Sequence, residues 1–169
     1  RLGHAGTFLR AETMAFYLPA DGEVDPHPLM ERAWAFGKRC FLPVIHSKLG
    51  DRLFFAPYAP GTPLVPNRFG IPEPVVPRRH LRSARQLDLV LAPLVAFRPD
   101  GARLGMGGGF YDRTLAGRAR VPNWRRPRVV GLALELQKRP EVPRDPWDVP
   151  MDGIATEAAL YPATPGGFR

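Results

Sequence analysis

A chain of 169 residues with 44% apolar residues has the size and composition of one globular domain, and we predict a single domain over residues 1–169. Its one cysteine, Cys40, excludes an internal disulfide or a cysteine-based zinc site, and a reducing cytoplasm is the simplest location for the protein. The net charge of +8 is scattered rather than concentrated on one element, which argues against nucleic-acid binding, and no apolar run reaches the roughly 18 residues of a membrane helix.

The residue pattern alternates between strands and helices. The predicted elements are, in chain order, a helix end at 2–11, a buried strand at 13–19, a helix from about 28 to 37, strands at 39–46 and 52–58, a Pro-rich connection at 60–80, a central strand at 87–97, a helix from 110, a strand at 126–137, and a loop at 143–157 leading to a last short strand. This alternation predicts an α/β domain with a mostly parallel sheet.

Three of these elements have specific sequence support. The helix starting near Pro28 has apolar Leu29, Ala33 and Phe36 at helical spacing, and Gly37 suits its end. The prolines of the strand at 52–58 predict an antiparallel strand near an edge. The segment 87–97 is apolar almost throughout, as in a central parallel strand.

A glycine cluster in the segment RLGMGGGFYDR, residues 103–113, is the strongest candidate site. It follows the predicted central strand at once and precedes a predicted helix, and ligands bind at such positions in open α/β sheets. Gly105, Gly107, Gly108 and Gly109 would let the backbone approach a phosphate at the helix N-terminus. A tight structural turn is the alternative, because neither GxGxxG nor GxxxxGK[ST] matches this segment.

Carboxylates near this loop are candidate ligands for a hard cation such as Mg2+. Asp112 either binds the cation beside a phosphate or caps the helix. A second acidic cluster in RDPWDVPMDG contains Asp145, Asp148 and Asp152, of which one could complete the metal site while the others form turns.

Other side chains are candidate contacts for a flat heterocycle. Glu23 follows the first strand and could accept hydrogen bonds from ring N–H groups, or it could be a capping or surface residue. Phe110 and Tyr111 could stack on a ring, or pack under the helix. The sequence contains no pattern typical of a covalent nucleophile.

These motifs together resemble the 5-formyltetrahydrofolate cyclo-ligase (methenyltetrahydrofolate synthetase) family. The resembling segments are LDLVLAPLVAFRPDGARLGMGGGFYDRTL, YLPADGEVDPHPLM, GKRCFLPVI, FGIPEP and PRDPWDVPMDGIATE. The resemblance implies a three-layer α/β/α, Rossmann-like sandwich. It also implies an ATP- and Mg2+-dependent conversion of 5-formyltetrahydrofolate, with or without a polyglutamate tail, to 5,10-methenyltetrahydrofolate.

The resemblance also implies roles for individual residues. ATP would be bound by Arg103, Leu104, Gly105, Met106, Gly107, Gly108, Gly109, Phe110 and Tyr111. The folate would be bound by Leu18, Glu23, Phe69, Phe110 and Tyr111, and Mg2+ by Asp112 and Asp152. Arg103 and Tyr111 would act in catalysis, and the protein would be a monomer that binds neither nucleic acid nor membrane.

Departures from the family pattern support an alternative hypothesis for the function. From the resemblance we expect the family's basic N-terminal helix to be missing or truncated here, and Met106 stands where some relatives carry arginine. The alternative hypothesis is therefore a non-catalytic nucleotide- or nucleic-acid-binding relative of the same fold.

Overall fold

The computed structural model describes residues 1–46, 52–119, 126–164 and 167–168. Its strands are β1 (Thr13–Ala15), β2 (Arg39–His46), β3 (Arg52–Tyr58), β4 (Leu64–Pro66), β5 (Pro72–Pro74), β6 (Leu89–Pro93), β7 (Ala96–Phe97), β8 (Arg103–Leu104), β9 (Arg128–Leu132), β10 (Gly153–Ala155) and β11 (Leu160–Pro162). Its α-helices are α1 (Gly6–Arg10), α2 (His27–Ala35) and α3 (Phe110–Leu115), and short 3-10 turns connect several elements. None of the described helices is long and apolar enough to cross a membrane.

A seven-stranded sheet forms the centre of the described chain, in the order β11-β10-β9-β6-β1-β2-β3. Neighbouring strands from β10 to β2 are parallel, whereas β11 and β3 pair antiparallel at the two edges. The predicted α/β class, the central position of β6 and the antiparallel edge strand at 52–58 are therefore confirmed.

The sheet separates two hydrophobic clusters, which gives the three layers. Along β6, Leu89 and Leu91 join one cluster while Val90 and Ala92 join the other, because successive side chains of a strand point to opposite faces. The first cluster also contains residues of α1 and α2, and the second contains Leu115 of α3. The nearly continuous apolar sequence of β6 thus reflects burial on both faces.

The second helix begins and ends where its sequence predicts. Pro26 precedes its first residue, and Gly37 follows it with a φ of +68°, a left-handed conformation that glycine adopts without strain. One detail of the prediction is wrong: Phe36 is 51% exposed, beneath the guanidinium of Arg32, instead of packing with Ala33.

The glycine loop does not follow the central strand at once, contrary to the prediction. The strand ends at Pro93, and an antiparallel hairpin of β7 and β8 comes between it and the glycines. The Pro-Asp-Gly sequence at 99–101 supplies the turn of this hairpin, in which the Asp100 carboxylate accepts a hydrogen bond from the N–H of Ala102.

Further elements also differ from the prediction. The strand predicted over 13–19 ends at Ala15. The Pro-rich connection contains a two-stranded ribbon of β4 and β5. The strand predicted over 126–137 ends at Leu132. The loop predicted over 143–157 contains β10, which pairs antiparallel with the last strand, β11. Residues 120–125, to which the helix prediction extended in part at Arg120, lie outside the described residues.

Candidate functional site

Most predicted site residues lie at the carboxyl-terminal end of the parallel strands. Glu23 is on the segment that leaves β1 at this end. The hairpin of β7 and β8 brings the chain back there, because the N–H of Val95 donates to the carbonyl of Leu104 at 2.7 Å. The glycine loop therefore begins beside the end of β6, although it lies further along the chain.

The glycine loop, residues 105–109, presents bare main chain. Gly107 and Gly109 have φ values of +82° and +61°, which L side chains rarely adopt. At Gly108, an added Cβ would lie 2.8 Å from the ring of Phe110. Among the described residues, no acceptor takes the N–H groups of residues 105–109. These amides can donate to a bound anion.

Asp112 is fixed at the first turn of α3 by two donors. Its Oδ1 accepts from Arg103 Nη2 at 2.8 Å and from the N–H of Val149 at 3.0 Å. The other end of the Arg103 guanidinium donates to the carbonyl of Val149 at 2.6 Å, and this side chain is only 7% exposed. Within the described residues, Oδ2 of Asp112 accepts no hydrogen bond, so it remains available to a ligand.

Asp152 lies in a different environment from Asp112. It precedes β10, at the amino-terminal end of that strand, and is 3% exposed. Arg118 Nη2 donates to both its oxygens at 2.9 and 2.8 Å, and the N–H of Val129 donates to Oδ2 at 2.7 Å. Arg128 Nη1 lies 3.4 Å from Oδ1. Asp152 thus shares none of these hydrogen-bond partners with Asp112, and its charge is already balanced.

Within the acidic cluster, Asp148 is the residue connected to Asp112, through the main chain of Val149. It directly precedes Val149, whose N–H binds Asp112, and its own Oδ2 accepts from the N–H of Asp145 at 2.8 Å. In the described part of the chain, no group of three or more His, Cys, Asp or Glu side chains could hold a metal ion without other ligands.

Glu23 is oriented by its own turn. Asp21 and Gly22 have φ values of +48° and +81°, and the N–H of Ala20 donates to Glu23 Oε2 at 3.1 Å. Burial raises the pKa of Glu23, although the hydrogen bond from Ala20 opposes the shift. Leu18 is half-buried and packs at the start of the same segment.

Two phenols lie close to Glu23. Burial is the main cause that raises the pKa of Tyr111, and the Glu23 carboxylate adds to it, so this phenol stays protonated and can donate a hydrogen bond. Tyr17, which the sequence analysis did not single out, also has its pKa raised by burial and by Glu23. Its hydroxyl donates to the carbonyl of Val24 at 2.6 Å and so ties the Glu23 segment to β1.

Phe69 and Phe110 form an aromatic pair next to the glycine loop. Their ring centroids lie 5.8 Å apart at an interplanar angle of 76°, an edge-to-face arrangement. The guanidinium of Arg113 lies over Phe110 at 5.1 Å and also donates to the carbonyl of Gly108 at 2.7 Å. Phe69 is 54% exposed, and the guanidinium of Arg68 lies over its ring at 4.8 Å.

Comparison with known proteins identifies the family. The model of the 5-formyltetrahydrofolate cyclo-ligase family matches residues 1–157. This chain belongs to the 5-formyltetrahydrofolate cyclo-ligase family. The resemblance seen in the sequence is thus confirmed.

Cyclo-ligases from two bacteria are among its similar relatives. The Escherichia coli (strain K12) 5-formyltetrahydrofolate cyclo-ligase is 41% identical over 153 residues, covering 89% of this chain and 81% of that protein. The Haemophilus influenzae cyclo-ligase is 40% identical over 147 residues, covering 86% of this chain and 75% of that protein.

Solved structures agree with the family and with the fold. The NMR structure of Aquifex aeolicus 5,10-methenyltetrahydrofolate synthetase superposes with a TM-score of 0.77 at 32% identity, covering 98% of this chain and 78% of that one. A Mycoplasma pneumoniae 5,10-methenyltetrahydrofolate synthetase gives a TM-score of 0.61 at 27% identity, covering 86% of this chain and 73% of that one. This cyclo-ligase family member thus has the predicted mostly parallel α/β architecture.

Proposed function

We propose that this chain catalyses the ATP- and Mg2+-dependent ring closure of 5-formyltetrahydrofolate to 5,10-methenyltetrahydrofolate, with release of ADP and phosphate. One observation carries the proposal: the amides of residues 105–109, which find no acceptor in the described part of the chain, closely precede the fixed carboxylate of Asp112. Phosphoryl transfer needs donors for phosphate oxygens beside a ligand for a divalent cation. Membership of the cyclo-ligase family supplies the choice of folate substrate.

The phosphates of ATP would lie against the glycine loop. Main-chain N–H groups from Gly105 to Gly109 supply the donors, and Leu104, Met106, Phe110 and Tyr111 complete the segment that surrounds them. Both ends of the Arg103 guanidinium are already engaged, by Asp112 and Val149. We therefore assign to Arg103 the fixing of Asp112 and a nearby positive charge that favours the transferred phosphoryl group.

The residues around Asp112 fit a magnesium ion. Mg2+ is usually held by one or two carboxylates, several waters and the substrate phosphates, so a cluster of three protein ligands is not required. Oδ2 of Asp112 is available, and Asp148 lies on the segment whose Val149 N–H binds the same side chain. When bound, Mg2+ would orient the phosphates and neutralise their charge.

Asp152 suits a structural role better than a metal-binding one. Donors from Arg118 and Val129 occupy both its oxygens, and displacing them would leave buried donors unsatisfied. We therefore propose Asp148, rather than Asp152, as the carboxylate that acts with Asp112.

The folate would bind between the Glu23 segment and the aromatic pair. Glu23 can accept hydrogen bonds from ring N–H groups of the pterin, and Leu18 offers an apolar wall beside it. Phe69 and Phe110 provide ring surfaces for stacking. The protonated phenol of Tyr111, close to Glu23 and Arg103, can donate a hydrogen bond to the substrate.

The reaction needs no side-chain nucleophile. The formyl oxygen of the substrate attacks the γ-phosphorus of ATP, and ADP leaves with the electron pair of the broken bond. The neighbouring amine nitrogen then attacks the formyl carbon and loses its proton, and the carbon–oxygen bond breaks to release phosphate. The protein contributes positioning and donors aimed at the developing charge on the phosphoryl oxygens.

A spectrophotometric assay tests the proposal. Purified protein with 5-formyltetrahydrofolate, ATP and Mg2+ should generate the absorbance of the methenyl product, and omission of ATP or Mg2+ should abolish it. Asp112→Asn should lose turnover while it retains the acceptor for Arg103. A wild-type protein that forms no product, and instead binds random DNA or RNA in a salt-dependent manner, would support the non-catalytic alternative.

A further inference from the structure

The tip of the β4–β5 ribbon, residues 67–71, is organised by one side chain. Asn67 Oδ1 accepts from the N–H of Phe69 at 2.8 Å and from the N–H of Ile71 at 3.1 Å. Main-chain bonds close the same tip: the N–H of Asn67 donates to the carbonyl of Ile71 at 2.8 Å, and the N–H of Gly70 to the carbonyl of Asn67 at 2.9 Å. The direction in which Phe69 leaves the backbone therefore depends on the Asn67 carboxamide.

Glu73 connects this tip to the central sheet. Its Oε1 accepts from Asn67 Nδ2 at 2.7 Å and from the N–H of Ile45, on β2, at 2.9 Å. The hydrogen bonds within the tip itself do not require this connection from Asn67 through Glu73 to β2. One carboxylate oxygen thus fixes the position of the tip relative to the sheet, at the end of β2 near the candidate site.

Phe69 depends on this support because few other groups among the described residues hold its ring. It is 54% exposed, and the ring contacts recorded for it are the edge-to-face contact with Phe110 and the Arg68 guanidinium, 4.8 Å from its centroid. An exposed ring on an unsupported tip would sample many positions. A continuous chain of contacts instead runs from Ile45 through Glu73 and Asn67 to Phe69 and Phe110.

We propose that Asn67 and Glu73 are positioning residues, which hold Phe69 at the folate pocket in the orientation that closes it against Phe110. The proposal rests on the proposed function, and it names two residues that would not touch the substrate themselves. They set the affinity for the folate, and they leave ATP binding at the glycine loop unaffected.

The structural part of the proposal can be tested without any substrate. In the free protein, NMR should detect a nuclear Overhauser effect between the Phe69 and Phe110 rings, and Asn67→Ala should abolish it. Thr62→Ala is the matched control: Thr62 Oγ1 accepts from the N–H of Ala59 at 3.0 Å, at the opposite end of the ribbon, and its loss should leave the ring contact intact. Persistence of the ring contact in Asn67→Ala would overturn the inference, whether or not the protein is an enzyme.

Steady-state kinetics test the functional part. Asn67→Ala should raise KM for 5-formyltetrahydrofolate about tenfold, the size of one lost aromatic contact, and change KM for ATP by less than about twofold. In a Phe69→Ala background, Asn67→Ala should have no further effect, because the ring through which it acts is absent. Equal effects on both substrates, or additive effects of the two substitutions, would contradict the proposal.

Substitutions of Glu73 give an independent check. Glu73→Gln keeps the Oε1 acceptor that takes both Asn67 Nδ2 and the N–H of Ile45, so the folate KM should stay within about twofold of wild type. Glu73→Ala removes this acceptor and should raise the folate KM as Asn67→Ala does. Equal folate KM values for Glu73→Ala and Glu73→Gln would refute the link through Glu73. Failure of the wild type to cyclise folate would refute the proposed function, and the NMR result would still decide the inference.

Discussion

Replacing Asp152 by asparagine tests whether this residue supports the fold or binds a cation. Asparagine keeps the shape and one acceptor, but it removes the charge that balances Arg118, whose side chain is 16% exposed. Removing one partner of a buried ion pair costs about 3–5 kcal/mol, and the partial exposure of Arg118 favours the lower end, about 3 kcal/mol. For a domain of this size, that loss lowers Tm by about 6–12 °C.

Urea denaturation and a magnesium titration of the cyclisation rate provide the two measurements. We expect Asp152→Asn to unfold at lower urea and to keep the wild-type magnesium requirement. Asp112→Asn should also lower the free energy of unfolding, by about 3 kcal/mol, because it leaves the Arg103 guanidinium, 7% exposed, without its charge partner. Unlike Asp152→Asn, it should also cause a large loss of turnover. The reasoning fails if Asp152→Asn leaves stability unchanged and raises the magnesium requirement.

Two further predictions concern stability alone. Gly107→Ala should destabilise the fold by about 1–2 kcal/mol because Gly107 has a φ of +82°. Gly105→Ala should cost less than about 0.5 kcal/mol, because Gly105 has open space around it and no positive φ. Equal urea midpoints of the two variants would contradict this prediction. Hydrogen bonds from Lys138, Tyr161 and Thr156 lower the pKa of Glu135 to about 2, so the unfolded chain binds its proton first as pH falls. The stability difference between wild type and Glu135→Gln should therefore be full above about pH 4.5 and shrink as pH approaches 2; a difference independent of pH in thermal melts would refute this assignment.

Elements with a continuous pattern could be predicted from the sequence. The run at 89–93 is apolar because both faces of β6 are buried. This continuous apolar sequence predicted that the strand is central in the sheet. The prolines of β3 and the glycine after α2 act through local backbone restrictions, which a sequence shows directly. Short elements were missed: β7 and β8 have two residues each, too few for a periodicity to be visible.

The candidate site was less predictable, since it depends on contacts across long sequence distances. Three aspartates of the C-terminal loop look alike in sequence. Only the tertiary partners separate Asp152, held by two arginines, from Asp148, whose neighbour Val149 donates to Asp112. The role of Tyr17 in holding the Glu23 segment was equally hidden, because a tyrosine at the end of a buried strand usually only packs.

The hydrogen bonds that fix Asp112 have a consequence for how the protein is made. Arg103 and Asp112 are synthesised well before Val149, which supplies both a donor and an acceptor to them across separations of 37 and 46 residues. On the ribosome, the glycine loop and α3 would emerge while this carboxylate still lacks its final partner. The proposed metal-binding arrangement of Asp112 would therefore form late in translation, only after the segment before β10 has left the exit tunnel and docked.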